Sequence, residues 1–484
     1  MCNTPKKSRT DLFNGISWSA FERFSVQGIQ FAVFVLMARM LTPTAYGLVG
    51  MLAIFIVISQ IFAEGGMSQA IIRKFNRTDT DCSTAFWINI ATGIVLYCVL
   101  FLCAPWIADF YQEPQLVALL RVMALSVVFQ SSLVVHRSLL TSRLDFKTQA
   151  KSTLVGALLS GMVGLYMAYH GFGVWALVGL QIVNQFATTL TLWIVSEWRP
   201  SLVFSMESFR NLFGFGSKLL ISKVVDNLYQ SIYPLVIGKI FSAYALGCYT
   251  NARQLGSISS ENLTKIVQRA AYPMVCDIRR DVDKVRTRIA DYLRLSMFFI
   301  APLMLGLAVL SEPLTVALIG HQWLYTARLL RILCLYFLLF PLNAINFMIL
   351  EMYGRGTVYL RLQLFDIFCG VVLLGGLLKF GLSAVCCGLV LSAAISYTMN
   401  AWIAGKSIRL GVWLQLKAIM PVVVNAAIMA SVIFCLQFLI EGEWPKIIIG
   451  ITLGAMVYGG LSIAFQTRLC QLIIRMFHGR RMRS

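Results

Sequence analysis

Apolar runs long enough to cross a membrane recur from one end of the chain to the other, separated by short polar connections. A spanning helix needs about 20 mostly apolar residues, since each adds about 1.5 Å across a hydrocarbon core of about 30 Å. On that template the first six runs centre on Gly15–Met37, Tyr46–Ala63, Thr84–Ala108, Leu116–Leu139, Ser152–Tyr169 and Val174–Ser196. A polar connection, Glu197–Arg210 with Pro200, follows. The runs then resume at Leu212–Gly238, Ala245–Val275, Ile289–Leu310, Leu329–Leu350, Thr357–Leu378, Leu382–Ala404, Trp413–Ile440 and Ile447–Phe465. The pattern predicts an all-α integral membrane protein of about fourteen transmembrane helices. The eighth run is unusually polar, so twelve or thirteen stay open as alternatives.

Composition narrows the class. Of 484 residues, 58% are hydrophobic and 13% charged, whereas a soluble domain is nearer half apolar and a quarter charged. Little chain remains for an extramembrane catalytic domain. In a soluble protein the net charge of +20 would point to nucleic acid. Here the distribution of Lys and Arg explains it, because cytoplasmic loops of membrane proteins collect them. With the first tail placed inside, the same side receives Lys6, Lys7, Arg9, Arg73, Lys74, Arg77, Arg137, Arg143, Lys147 and Lys151. It also receives the cluster from Arg269 to Arg288 and the basic C-terminal tail from Arg468 to Arg483. Outside connections hold few basic residues, such as Arg39, Arg121 and Lys239. Both termini are therefore expected in the cytoplasm, and no nucleic-acid partner is expected. The polar start, Met1–Asp11, is signal-like in charge. The run after it is too long and carries Glu22 and Arg23, so it reads as a retained first span.

Candidate chemistry is sparse. The twelve cysteines have no CxxC spacing and mostly sit in apolar runs, where Cys acts as a small hydrophobe. Four histidines are scattered, and neither a Walker A loop nor a dinucleotide glycine fingerprint occurs. No metal, cofactor or catalytic group is expected, and the chain reads as a non-enzyme. Trp106, Trp175 and Trp198 fit an interfacial aromatic belt. His321, Gln322 and Trp323 fall in a predicted outer connection and read as an interfacial turn, with a sugar-contacting rim as the alternative.

An internal repeat runs at an offset of 200 residues. Leu12-Phe13 returns as Leu212-Phe213, Ser17 as Ser217 and Gln30 as Gln230; Arg23 pairs with Lys223, and Ala45 and Gly47 with Ala245 and Gly247. We read two pseudo-symmetric six-helix lobes, 1–200 and 201–411, followed by two helices and a basic cytoplasmic tail over 412–484. Paired lobes of this kind commonly enclose a transporter's substrate path.

Charges within the spans mark that path. A charge at the bilayer centre costs roughly 2.5–3.5 kcal/mol even on lenient scales. Arg23, Gln27 and Gln30 share one face of the first span at i, i+4, i+7; Lys223, Asn227 and Gln230 repeat the stripe in the seventh. Arg253 in the eighth joins them as a cavity residue. The competing reading is that the long basic stems snorkel to the membrane surface. Glu22, Asp226 and Glu261 are candidate ion- or proton-coupling carboxylates, or simply neutralise their basic neighbours.

The segment Ala38-Arg-Met-Leu-Thr-Pro-Thr-Ala-Tyr-Gly-Leu48 resembles the motif closing the first span in Wzx-type polysaccharide flippases, within the multidrug/oligosaccharidyl-lipid/polysaccharide exporter superfamily. Further resemblance lies in Glu64-Gly-Gly-Met-Ser-Gln-Ala-Ile-Ile72, Leu144-Asp-Phe-Lys147, Gly171-Phe-Gly-Val-Trp-Ala-Leu177, Leu246-Gly-Cys-Tyr249, Tyr272-Pro273 and Gly320-His-Gln-Trp323. At Glu64 such flippases often carry Asp, which preserves the charge. The resemblance implies an alternating-access flippase of the bacterial inner membrane. It would carry an undecaprenyl-pyrophosphate-linked oligosaccharide outward for lipopolysaccharide, capsule or exopolysaccharide synthesis. It also implies membrane lipid as a partner and company with a polysaccharide polymerase and chain-length machinery. The basic stripe would hold the pyrophosphate and the amides the sugar hydroxyls. Two alternatives stand beside it: a cation-coupled multidrug exporter of the same fold, and a membrane polysaccharide polymerase or ligase.

Overall fold

The computed structural model describes residues 9–74 and 76–465; for residues 9–24 and for Lys218, Leu219, Asp226 and Tyr229 it describes the backbone alone. Regular structure among the described residues is helical throughout. A backbone in hydrocarbon must satisfy its own hydrogen bonds, and a helix does so within one segment. The chain packs as two compact units that divide between Gly247 and Cys248.

The first unit contains α1 (Arg9–Met40), α2 (Pro43–Glu64), α3 (Met67–Arg73), α4 (Asp79–Tyr111), α5 (Gln115–Met123), α6 (Leu125–Ser142), α7 (Phe146–Tyr169), α8 (Val174–Val195) and α9 (Met206–Ile240). It ends within the first turns of α10 (Ala243–Asp277). Helix α1 packs on α7, α7 on α8, α4 on α6, and α9 on α2, α3 and α4. The 200-residue offset reappears in the boundaries: α1 and α9 end at Met40 and Ile240, and α2 and α10 begin at Pro43 and Ala243. These two helix starts meet reciprocally. A Cβ on Gly47 would lie 1.7 Å from the Ala243 carbonyl oxygen, and one on Gly247 1.9 Å from that of Pro43. Only glycine permits backbones to approach so closely.

The second unit holds the rest of α10, then α11 (Val282–Val309), α12 (Ser311–Ile319), α13 (Leu324–Met352), α14 (Gly356–Leu377), α15 (Leu382–Ile408), α16 (Val412–Gln437) and α17 (Glu443–Phe465). Leu293, Met297, Ile345, Ile349, Ala404 and Ile419 are among its buried core. Inside that core Gln415 and Asn346 exchange amide bonds of 2.9 and 3.1 Å. Paired amides avoid the cost of a buried polar group without a partner.

Large apolar side chains also face outward, including Leu102, Trp106 and Ile194 in the first unit and Phe368, Met456 and Ile463 in the second. That surface suits hydrocarbon, not water. Among the described residues, eleven helical segments are long and apolar enough to span a membrane. Helix α10, of 35 residues and the eighth predicted span, is not among them; of α1, the first predicted span, the described stretch Ser25–Met40 is apolar.

Several local details differ from the sequence reading. The fourth run is two helices, α5 and α6, meeting at Ala124. Residues 312–328 are helical apart from Gly320, because α12 is followed by a 3-10 turn at His321–Trp323 that leads into α13. Trp323 is fully buried there, which removes it from a sugar-contacting rim. Residues 196–205 are pinned to the start of α4: Trp87 Nε1 donates to the Ser201 carbonyl at 2.8 Å, and the Ser205 N–H to Thr84 Oγ1 at 3.1 Å. Trp198 in this segment packs edge-on against Phe86 and His136.

Candidate functional site

In the first unit the site begins at the end of α2. Helix α2 stops at Glu64 because Gly65 and Gly66 both take left-handed backbone angles, φ 57° and 68°, which favour glycine. Helix α9 crosses this turn in direct backbone contact. A Cβ on Gly66 would lie 2.2 Å from the Gly216 carbonyl oxygen, and one on Gly216 2.8 Å from that of Gly65. Two helical turns beyond Gly216, Lys223 reaches Glu64 with Nζ 3.0 Å from Oε1. The side chains retain 33% and 25% of their exposure, so the pair borders an accessible space. Lys223 is therefore a neutralised cation in this state, and an anion arriving there would compete with Glu64.

The other stripe residues fall as follows. Gln27 on α1 is half-buried and Gln30 exposed; Asn227 is half-buried and Gln230 exposed on α9. Asn227 Nδ2 donates to the Lys223 carbonyl at 3.0 Å. The side chains of Glu22, Arg23 and Asp226 lie outside the described residues. Helices α1 and α9 rest on different supports, α7 for the first and α2, α3 and α4 for the second.

The second unit places Arg253 against aromatic hydroxyls. It hydrogen-bonds the buried Tyr249 one turn earlier, with Tyr336 and Glu261 close enough to feel its charge. Glu261 itself pairs with Lys265 at 3.2 Å, one turn along α10. A different carboxylate in this unit is more deeply set. Asp366 on α14 faces Ser396 and Asn400 of α15, and its Oδ1 is closed off from solvent with no hydrogen-bond partner among the described residues. Asn400 continues the cluster by donating to Asn343 Oδ1 at 2.9 Å.

Two residues thus escaped the sequence reading of the site. Glu64 is 159 residues from Lys223, and no periodicity links them. Asp366 had a signal of its own, being an acid in the middle of the apolar run Thr357–Leu378, where burial is costly.

Similarity to known proteins spans most of the chain. The profile of a family described as "Polysaccharide biosynthesis protein" matches residues 36–328. The teichuronic acid biosynthesis protein TuaB of Bacillus subtilis is 27% identical over 462 residues, covering 92% of this chain and 94% of that protein. The lipopolysaccharide biosynthesis protein WzxC of Escherichia coli is 24% identical over 430 residues, covering 86% and 87%. Among solved structures, the lipid II flippase MurJ in an inward closed conformation superposes with a TM-score of 0.78 at 16% identity, covering 94% of this chain and all of that one. A multidrug resistance MATE transporter of the MOP superfamily, inward-facing, gives 0.63 at 16% identity over 79% and 94%. With a multi-pass helical fold like these, and a family profile matching more than half its length, the chain belongs to the polysaccharide biosynthesis protein family.

Proposed function

We propose that this protein is a flippase of the bacterial inner membrane that moves a lipid-linked oligosaccharide, on undecaprenyl pyrophosphate, from the cytoplasmic to the outer face. The observation that carries the reading is the Lys223–Glu64 pair on a helix that also presents Asn227 and Gln230, in a chain of the polysaccharide biosynthesis family. A basic group set within a spanning helix and bordered by amides suits a phosphorylated sugar: the cation answers the phosphate and the amides the hydroxyls. The names of the relatives, which concern teichuronic acid and lipopolysaccharide biosynthesis, point the same way.

Transport then follows from competition and field. An arriving pyrophosphate competes with Glu64 for Lys223, so the bound state exchanges one ion pair for another and releases the Glu64 carboxylate to the accessible space that the pair borders. Moving about two negative charges outward is favoured by roughly 4–5 kcal/mol at 100 mV, inside negative, at ~2.3 kcal/mol per charge. Asp366 is the carboxylate we assign to ion or proton coupling, in preference to Glu261, which already holds Lys265. In this reading all fourteen long helical segments span, and both termini are cytoplasmic.

The test is a deletion strain from which undecaprenyl-linked glycans are extracted and their leaflet probed. Accumulation of a completed repeat unit facing the cytoplasm, reversed by the intact gene, is the expected result. Normal polymer with no accumulation refutes the reading. The MATE-like fold keeps multidrug export as the second reading, and efflux of a cationic dye separates the two.

A further inference from the structure

A recess away from the Lys223 site lies where α3 ends against the first turns of α9. It has a volume of about 230 Å³ and is lined by Ala70, Arg73, Lys74, Asn211, Leu212 and Phe215. At about 30 Å³ per water in the liquid, it holds roughly eight water volumes, enough for a phosphate ester with its immediate substituents.

Its cations differ in what they are already doing. Lys74 is committed to Asp81 at 2.7 Å, and Asp81 also closes the capping box with Thr78 that starts α4. Arg77, outside the lining, donates to the Ile71 carbonyl at the end of α3. Arg73 has neither kind of tie. Its guanidinium carbon lies 4.4 Å from the centre of the Phe215 ring, and its N–H groups have no acceptor among the described residues. The ring holds the guanidinium in place through a cation–π contact while its planar fork stays available, the arrangement suited to a phosphate. Asn211, one turn before Phe215 on α9, adds an amide without a partner among the described residues. The recess therefore carries an unspent positive charge at the end of the candidate spanning segment Pro43–Arg73, and the end of a spanning segment is where headgroups are met.

We propose that this recess binds the phosphate of an anionic lipid headgroup, Arg73 and Asn211 donating to its oxygens and Phe215 fixing the Arg73 plane. The phosphate has two sources of the same chemistry, a phospholipid of the leaflet or the pyrophosphate end of the lipid-linked substrate. The first does not depend on the transport reading above.

The full-length protein in detergent micelles is titrated separately with phosphatidylglycerol, with undecaprenyl pyrophosphate and with diacylglycerol as a phosphate-free control, and bound lipid is counted by native mass spectrometry. Arg73→Gln is expected to weaken binding of a phosphate-bearing lipid about tenfold, the loss of one charge-assisted contact, with diacylglycerol unaffected. Asn211→Ala should weaken the same lipid less, and Arg73→Lys should restore part of the loss. An effect confined to phosphatidylglycerol assigns the recess to the leaflet; an effect on undecaprenyl pyrophosphate assigns it to the arriving substrate. Unchanged binding of both lipids in Arg73→Gln and Asn211→Ala, with elution and melting as in the parent protein, overturns the proposal.

Discussion

The junction of α2, α3 and α9 makes a quantitative claim about three glycines. Gly66→Ala meets two costs. Its φ of 68° is a left-handed conformation, for which an L side chain is charged about 1–2 kcal/mol. Its new Cβ would also lie 2.2 Å from the Gly216 carbonyl oxygen and 2.7 Å from the carbonyl carbon. Those are backbone atoms of a helix and cannot swing aside, so overpacking adds about 1–3 kcal/mol. The total is about 2–5 kcal/mol. Gly65→Ala carries only the first cost, since its φ is 57° and its nearest neighbours would be 3.7 Å away; about 1–2 kcal/mol is expected. Gly216→Ala carries only the second, eased by about 1 kcal/mol of helix propensity. Thermal unfolding of the three purified variants in one detergent, followed by loss of the monodisperse peak, should therefore rank Gly66→Ala as the most damaging by a clear margin. Combining Gly66→Ala with Gly216→Ala should be less than additive, because both strain one contact. Equal losses for Gly66→Ala and Gly65→Ala would refute the reasoning, since the approach of α9 would then contribute nothing.

Three further outcomes are expected. Replacing Arg23 and Lys223 together by Gln, at unchanged membrane levels, should abolish glycolipid translocation; full transport would remove both from the binding stripe. In a double-mutant cycle of Glu64→Gln and Lys223→Gln, melting should show a coupling near 1 kcal/mol, small because both side chains stay partly in contact with solvent, and additive losses would deny the pair a role. Asp366→Asn keeps the shape and the Ser396 and Asn400 neighbours but removes the charge. It should cut transport at least about tenfold, a change of about 1.4 kcal/mol in the barrier, with melting unchanged, whereas a variant of normal transport would exclude Asp366 from coupling.

The sequence alone determined the helices and much of where their chemistry lies. A spanning segment must be apolar for about 20 residues and must satisfy its own backbone, so hydropathy locates it without knowledge of any neighbour. Each of the fourteen runs falls on a helix, apart from a few residues at run ends and the break at Ala124. The same logic picks out α1, α9 and α10 as helices carrying polar groups where lipid would penalise them, and the 200-residue repeat foreshadows the matched starts at Pro43 and Ala243. Partners were decided by the tertiary structure. Glu64 meets Lys223 because glycine at 65, 66 and 216 lets α9 touch the turn after α2. Arg73 meets Phe215, and Asp366 meets Ser396 and Asn400, for a similar reason. Hydropathy states which side chains cannot face lipid. The rotation of each helix and the identity of its neighbour, set by small residues at distant positions, decide which of those side chains meet.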